Sequence, residues 1–179
     1  ISALDDGVGA VMDTLEKEGI LENTLVFFAS DNGAPVTIDV DGRPNHPLTG
    51  HKRNLYEGGI RIPFAVQWCG VLPKGKIYEK PISSLDIFPT ALAAAGVEDF
   101  EGHDLDGTNL LPYLKGNGSG EPHEYLFWRS GPNAAVRKGK WKLLMAGEDL
   151  TRLYNVDEDL GEKKDLSVEK PELVEEMKK

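Results

Sequence analysis

The sequence is poor in the residues that most often announce chemistry or a membrane. Its single cysteine, Cys69, allows no internal disulfide and says nothing of compartment. Lying after an apolar strand pattern, it reads as a packed thiol. No apolar run approaches the ~20 residues of a membrane-spanning helix, so no span is expected. The histidines are only His46, His51, His103 and His123, and they lack zinc-ligand spacing. There is no Gly-x-Ser-x-Gly elbow and no phosphate-binding Gly-Lys-Ser/Thr loop. Cations are in deficit, with 20 Lys and Arg against 30 Asp and Glu, a net charge of −10. That balance argues against nucleic acid as a partner, but it leaves room for a local anion site. Hydrophobic residues at 40% exclude a disordered acidic tail, and 179 residues suit one domain or one domain with a satellite.

What is present begins abruptly. Ile1, Leu4, Val8, Val11, Met12 and Leu15 have helical spacing from the first residue, with no Met or polar lead-in. The expectation is a processed end or a piece of a longer protein. A helix is predicted over 2–18, ended by Gly19. Thr24 to Ala29 is a short apolar run that predicts a strand buried on both faces, of the parallel-sheet type. Residues 34–60 read as a long loop, which in a compact domain is usually functional or disordered. Period-two apolar residues predict a strand over 61–68. A helix is predicted from Ser83 to Ala95, with Ser83 or Ser84 as its cap.

After a glycine-rich connector with one helical turn around 109–114, the pattern becomes antiparallel. Strands are predicted over 124–129, 134–137, 141–145 and 152–155, with a hairpin at Gly139-Lys140 and a last helix over 169–178. The expected fold is α/β, a sheet-and-helix segment over 1–100 followed by a small antiparallel subdomain with a covering helix over 101–179.

Two stretches could carry chemistry. Asp31 and Asn32 follow a strand end, with Gly33 letting the backbone turn away. Adjacent carboxylate and carboxamide oxygens suit Ca²⁺ or Mg²⁺, although Asp-Asn-Gly is equally a good turn. Between Arg43 and Arg61 the charges sum to +3, with Lys52 and Arg53 adjacent and His46 and His51 nearby. Such a loop can grip an oxyanion, and it can also be a solvated basic loop. A metal pair beside a basic loop is what a sulfuryl or phosphoryl ester site requires.

The residues in these stretches resemble the C-terminal part of the formylglycine-dependent sulfatases. The match is carried by 3–9, by Asn23 to Gly33, by Pro47 to Pro63 with Lys52 and Tyr56-Glu-Gly-Gly-Ile-Arg61, by 84–90, and by 135–144 with 153–155. The resemblance implies an alkaline-phosphatase-like fold. It implies that Asp31 and Asn32 ligate the divalent cation, usually Ca²⁺, and that Lys52 is the catalytic, sulfate-contacting residue. His51, Arg53 and His46 are further substrate-binding candidates. The family often has Gly where His51 stands, which places a titratable group beside the site. Glu57 and Arg61 are expected to form a structural pair that holds the loop.

In this family the nucleophile arises from Cys or Ser in Cys/Ser-x-Pro-x-Arg, and no such motif occurs in the 179 residues. The expectation is that it lies upstream, that the chain alone is inactive, and that surface exposed by the missing half drives self-association. The implied partner is a sulfated small molecule or glycan, and the resemblance suggests a place outside the cytoplasm. The alternatives are a phosphodiesterase or phosphomutase of the same superfold, which the His-poor region around Asp31 disfavours, or a non-catalytic sulfated-glycan-binding module.

Overall fold

In a computed structural model, residues 1–36, 44–97, 104–147 and 150–179 are described. They gather into two compact units, one of Ile1–Phe28 with Phe64–Pro122, the other of Ala29–Pro63 with His123–Lys179.

The first unit opens with α1 (Ser2–Lys17), and Gly19 takes the left-handed conformation (φ 70°) just past its end. Strands β1 (Val26–Ala29) and β2 (Phe64–Gln67) form a two-stranded sheet. The Ser30 N–H donates to the Pro63 carbonyl, so the end of β1 lies beside the start of β2, as in an antiparallel pair. The expectation of a parallel strand buried on both faces is therefore corrected. Phe28 is exposed, and α1 has no buried residue. A continuous apolar run reports a strand's affinity for apolar neighbours, not whether both faces have them.

Further on, Ser83 caps a turn of 3-10 helix that leads into α3 (Ile87–Ala94). The buried Asp86 carboxylate accepts the N–H groups of Ser83 and Thr108, both at 2.7 Å. Buried Thr90 accepts the Leu110 N–H at 2.9 Å, just before α4 (Leu111–Leu114). These two side chains satisfy backbone donors that would otherwise be stranded on burial, and they staple the connector to α3.

The second unit is built on an antiparallel sheet in the order β3 (Leu126–Ser130), β4 (Asn133–Lys138), β5 (Trp141–Ala146), β6 (Leu150–Asn155). Gly139, at φ 52°, makes the β4–β5 turn, and Lys138 pairs with Trp141 across it. Period two sorts the side chains. Val136, Leu143 and Leu153 pack with Val174 and Met177 of α5 (Pro171–Met177). Ala135, Leu144 and Tyr154 form a second cluster with Leu55, Tyr56 and Ile60. The sheet thus carries the terminal helix on one face and the segment 55–60 on the other. That segment includes a four-residue helix, α2 (Glu57–Ile60), where a loop was expected. No described helix is long and apolar enough to cross a membrane.

Candidate functional site

The second unit holds every residue singled out as a binding or catalytic candidate. Asp31 and Asn32 follow β1 at once, and Asn32 is half-buried while Asp31 is exposed. The Gly33 N–H donates to the Gly59 carbonyl at 3.0 Å. A Cβ on Gly33 would lie 1.8 Å from the Gly58 carbonyl oxygen, so only glycine permits this approach.

The next residue joins the two stretches. The Ala34 carbonyl accepts the Lys52 N–H at 3.1 Å, and Asn45 brackets Ala34 from both sides. Asn45 Oδ1 accepts the Ala34 N–H at 2.9 Å, and its Nδ2 donates to the carbonyls of Ala34 and Gly50, each at 3.1 Å. One carboxamide thus stitches the Asp31-Asn32 segment to the basic loop. The only sequence signal for Asn45 is its place between two prolines, which marks an ordered turn and not a role.

Lys52 and Arg53 stand exposed at the tip of that loop. The turn is closed by Asn54, whose Oδ1 accepts the His51 N–H and whose own N–H donates to the His51 carbonyl. Arg53 is held at φ 78°, a conformation that costs a non-glycine residue on the order of 1 kcal/mol and persists only where neighbours enforce it. His51 is half-buried, with Nδ1 2.8 Å from the Lys52 carbonyl, and Nε2 is its remaining polar atom. His46 is exposed. His103 and Arg43 lie outside the described residues.

Asp31 and Asn32 fit a hard divalent cation in kind, since both offer oxygen. They do not fill its shell of six to eight donors. Among the described residues, no group of three or more His, Cys, Asp or Glu side chains is placed to hold a metal ion.

Behind the loop lies a buried charge cluster that sequence reasoning saw only at its edge. Glu57 is 2% exposed. Its Oε1 is 2.9 Å from Lys142 Nζ, and its Oε2 is 3.4 Å from Arg137 Nη1. The expected partner, Arg61, is more distant at 3.6 Å and half exposed. Lys142 also lies 2.8 Å from Glu162 Oε1, a close charge contact without a directed hydrogen bond to that oxygen. Glu162 Oε2 accepts the Glu57 N–H at 2.6 Å. Burial pushes the Glu162 carboxyl above its ordinary range, against the opposing pull of Lys142 and the Glu57 N–H.

With this geometry in view, three comparisons bear on the chain. Residues 1–97 match the sulfatase family model. The chain is 40% identical over 132 residues to steryl-sulfatase of Rattus norvegicus, covering 71% of this chain and 23% of that protein. It is 40% identical over 128 residues to the uncharacterized sulfatase YdeN of Escherichia coli K12, covering 72% of this chain and 22% of that protein. It therefore spans under a quarter of the length of these relatives. Among solved structures, it is similar to Ps i-CgsB in complex with k-i-k-neocarrahexaose, at TM-score 0.85 and 35% identity, over 98% of this chain and 39% of that one.

Proposed function

As the chain belongs to the sulfatase family, we propose that it contributes the sulfate-contacting loop and part of the cation site of an enzyme that hydrolyses sulfate esters. The observation that supports this most is the link from Ala34 to Lys52, reinforced by Asn45. It ties the backbone of exposed Lys52 to the segment that bears the Asp31 carboxylate and the Asn32 carboxamide.

In this reading Lys52 binds the sulfate oxygens and offsets the charge that grows as the ester bond breaks. A cation aimed at developing charge acts more strongly in a dry site than in water. Arg53, His51 and His46 lie along the same loop and contact the remainder of the substrate. Asp31 and Asn32 hold one side of a Ca²⁺ or Mg²⁺ ion, which when bound polarises the ester oxygens. The nucleophile, a formylglycine, comes from sequence outside these 179 residues, and the chain by itself turns nothing over. The alcohol is a carbohydrate or an aryl group; the similarity to a structure solved with an oligosaccharide supports the first.

The test is an assay of the intact enzyme that carries this segment. It should release sulfate from 4-nitrophenyl sulfate, while the 179-residue chain releases none. Preferential hydrolysis of a phosphodiester would transfer the segment to the phosphodiesterase branch of the superfold. Retention of a sulfated glycan without turnover by the intact protein would make it a binding module.

A further inference from the structure

The loop that bears Lys52 does not hold itself. Three backbone bonds tie it and the Asp31-Asn32 segment to one another and to α2: Gly33 N–H to Gly59 carbonyl, Lys52 N–H to Ala34 carbonyl, and Gly58 N–H to Thr49 carbonyl at 2.7 Å. A four-residue helix has too few internal bonds to stay formed unaided. It is held from its first residue. Glu57 is gripped through its carboxylate by Lys142 on β5 and through its N–H by Glu162, 105 positions away. The 159–163 segment makes a second attachment, since the Thr49 hydroxyl donates to the Gly161 carbonyl. Glu162 itself is held at φ 50°. Apart from Arg53, it is the only described non-glycine residue with a positive φ. The two strained positions thus lie at the two ends of one connection.

Lys142 is wholly buried and lies within 3 Å of both carboxylates, so its contacts fix where Glu57 and Glu162 sit relative to each other. A lysine chosen only to fill that face of the sheet would be replaceable by an apolar residue, because a buried ion pair is weak support for stability once desolvation is counted. Its two carboxylate contacts instead give α2 a fixed position against β5, and through Gly58 and Gly59 they set the frame of the loop.

We propose that Lys142 is a positioning residue for the site: through Glu57 and Glu162 it fixes α2, and α2 in turn aligns the Lys52 loop with the Asp31-Asn32 segment. The consequence for turnover rests on the sulfatase reading above; the mechanical coupling does not.

The test uses the intact enzyme and two variants. Glu162→Gln keeps shape and removes one charge. The neutral combination Glu57→Gln, Lys142→Met, Glu162→Gln removes the lysine together with both its carboxylates, and Arg137, the other partner of Glu57, keeps Asp157 at 3.6 Å. Amide hydrogen exchange at Gly33, Lys52, Gly58 and Gly59 reads the coupling. The kcat/KM for 4-nitrophenyl sulfate and the inhibition constant of inorganic sulfate read the site. The neutral combination should melt near the parent enzyme, exchange faster at those amides than in β3 and β4, and lose about tenfold or more in kcat/KM, the scale of a small misplacement. Inorganic sulfate should bind more weakly in parallel, and Glu162→Gln should move each quantity the same way by less. Parent-like protection at those amides in both variants overturns the proposal, whatever happens to activity. So does faster exchange with kcat/KM unchanged. If the parent enzyme itself releases no sulfate, the sulfatase reading fails alone, and the exchange data still decide the coupling.

Discussion

Asp165 shows how a single side chain ties the sheet to the chain beyond it. Its Oδ1 accepts the N–H of Leu153 on β6 at 3.1 Å and of Ser167 at 2.9 Å. Burial works to raise this carboxyl, but the hydrogen bonds outweigh it and the group is held below the ordinary carboxylate range. A depressed folded value means the unfolded chain binds the proton first. The stabilisation is therefore present above the ordinary aspartate pKa and is lost as pH falls through the depressed folded value. Asp165→Asn should flatten the acid limb of a stability-against-pH curve measured by urea denaturation, because the variant lacks at neutral pH the stabilisation that the parent loses on acidification. An acid limb identical to the parent's would show that the carboxylate charge has no part. At this scale the sequence was legible where partners are local. Glu57 and Arg61 stand four apart and were expected to pair. Lys142 and Glu162 lie 85 and 105 positions from Glu57, and nothing in a local pattern reports a contact that distant.

At the scale of elements, α1 and α2, each with two glycines, respond oppositely to the same substitution. Gly9 in α1 has open space where a Cβ would go. Gly9→Ala should stabilise by about 0.5–1 kcal/mol, the ordinary helix preference of alanine. Gly59 in α2 has the Asn54 carbonyl oxygen 2.1 Å from that position. Gly59→Ala should therefore lower the melting temperature although alanine is the better helix former, and a rise would contradict the close approach. Periodicity located α1, α3 and the strands of the second sheet to within a few residues, because each buries or presents an apolar stripe. It missed α2, which is too short to show a period and is held by Glu57 and by backbone bonds together with the single apolar contact of Ile60. It also overstated the burial of β1, since the apolar run from Leu25 to Ala29 says nothing about what lies against it.

For the molecule as a whole, the net charge of −10 and the exposed cations of the 52–53 turn coexist because they belong to different places. Within the first unit, Leu4, Val8 and Met12 of α1 line a groove with Val26, Phe28 and Val66. Leu4, Val11 and Phe28 are each at least 40% exposed. Open apolar surface of this kind favours association. The isolated chain should self-associate at micromolar concentration in light scattering and bind an apolar dye, whereas a dye-silent monomer would show that the face is closed by rearrangement.

In the proposed function, the loop held between Ala34 and Gly59 presents Lys52 to a sulfate ester. The most direct measurement of this is the kcat/KM of the intact enzyme for 4-nitrophenyl sulfate with Lys52→Ala, alongside the melting temperature. Lys52 is exposed and its side chain supports no part of the packing, so melting should be unchanged. The loss in kcat/KM should be about 10²-fold or more, as for removal of a single donor aimed at developing charge. Near-parent turnover by a well-folded Lys52→Ala enzyme would remove this lysine from the site and contradict the account.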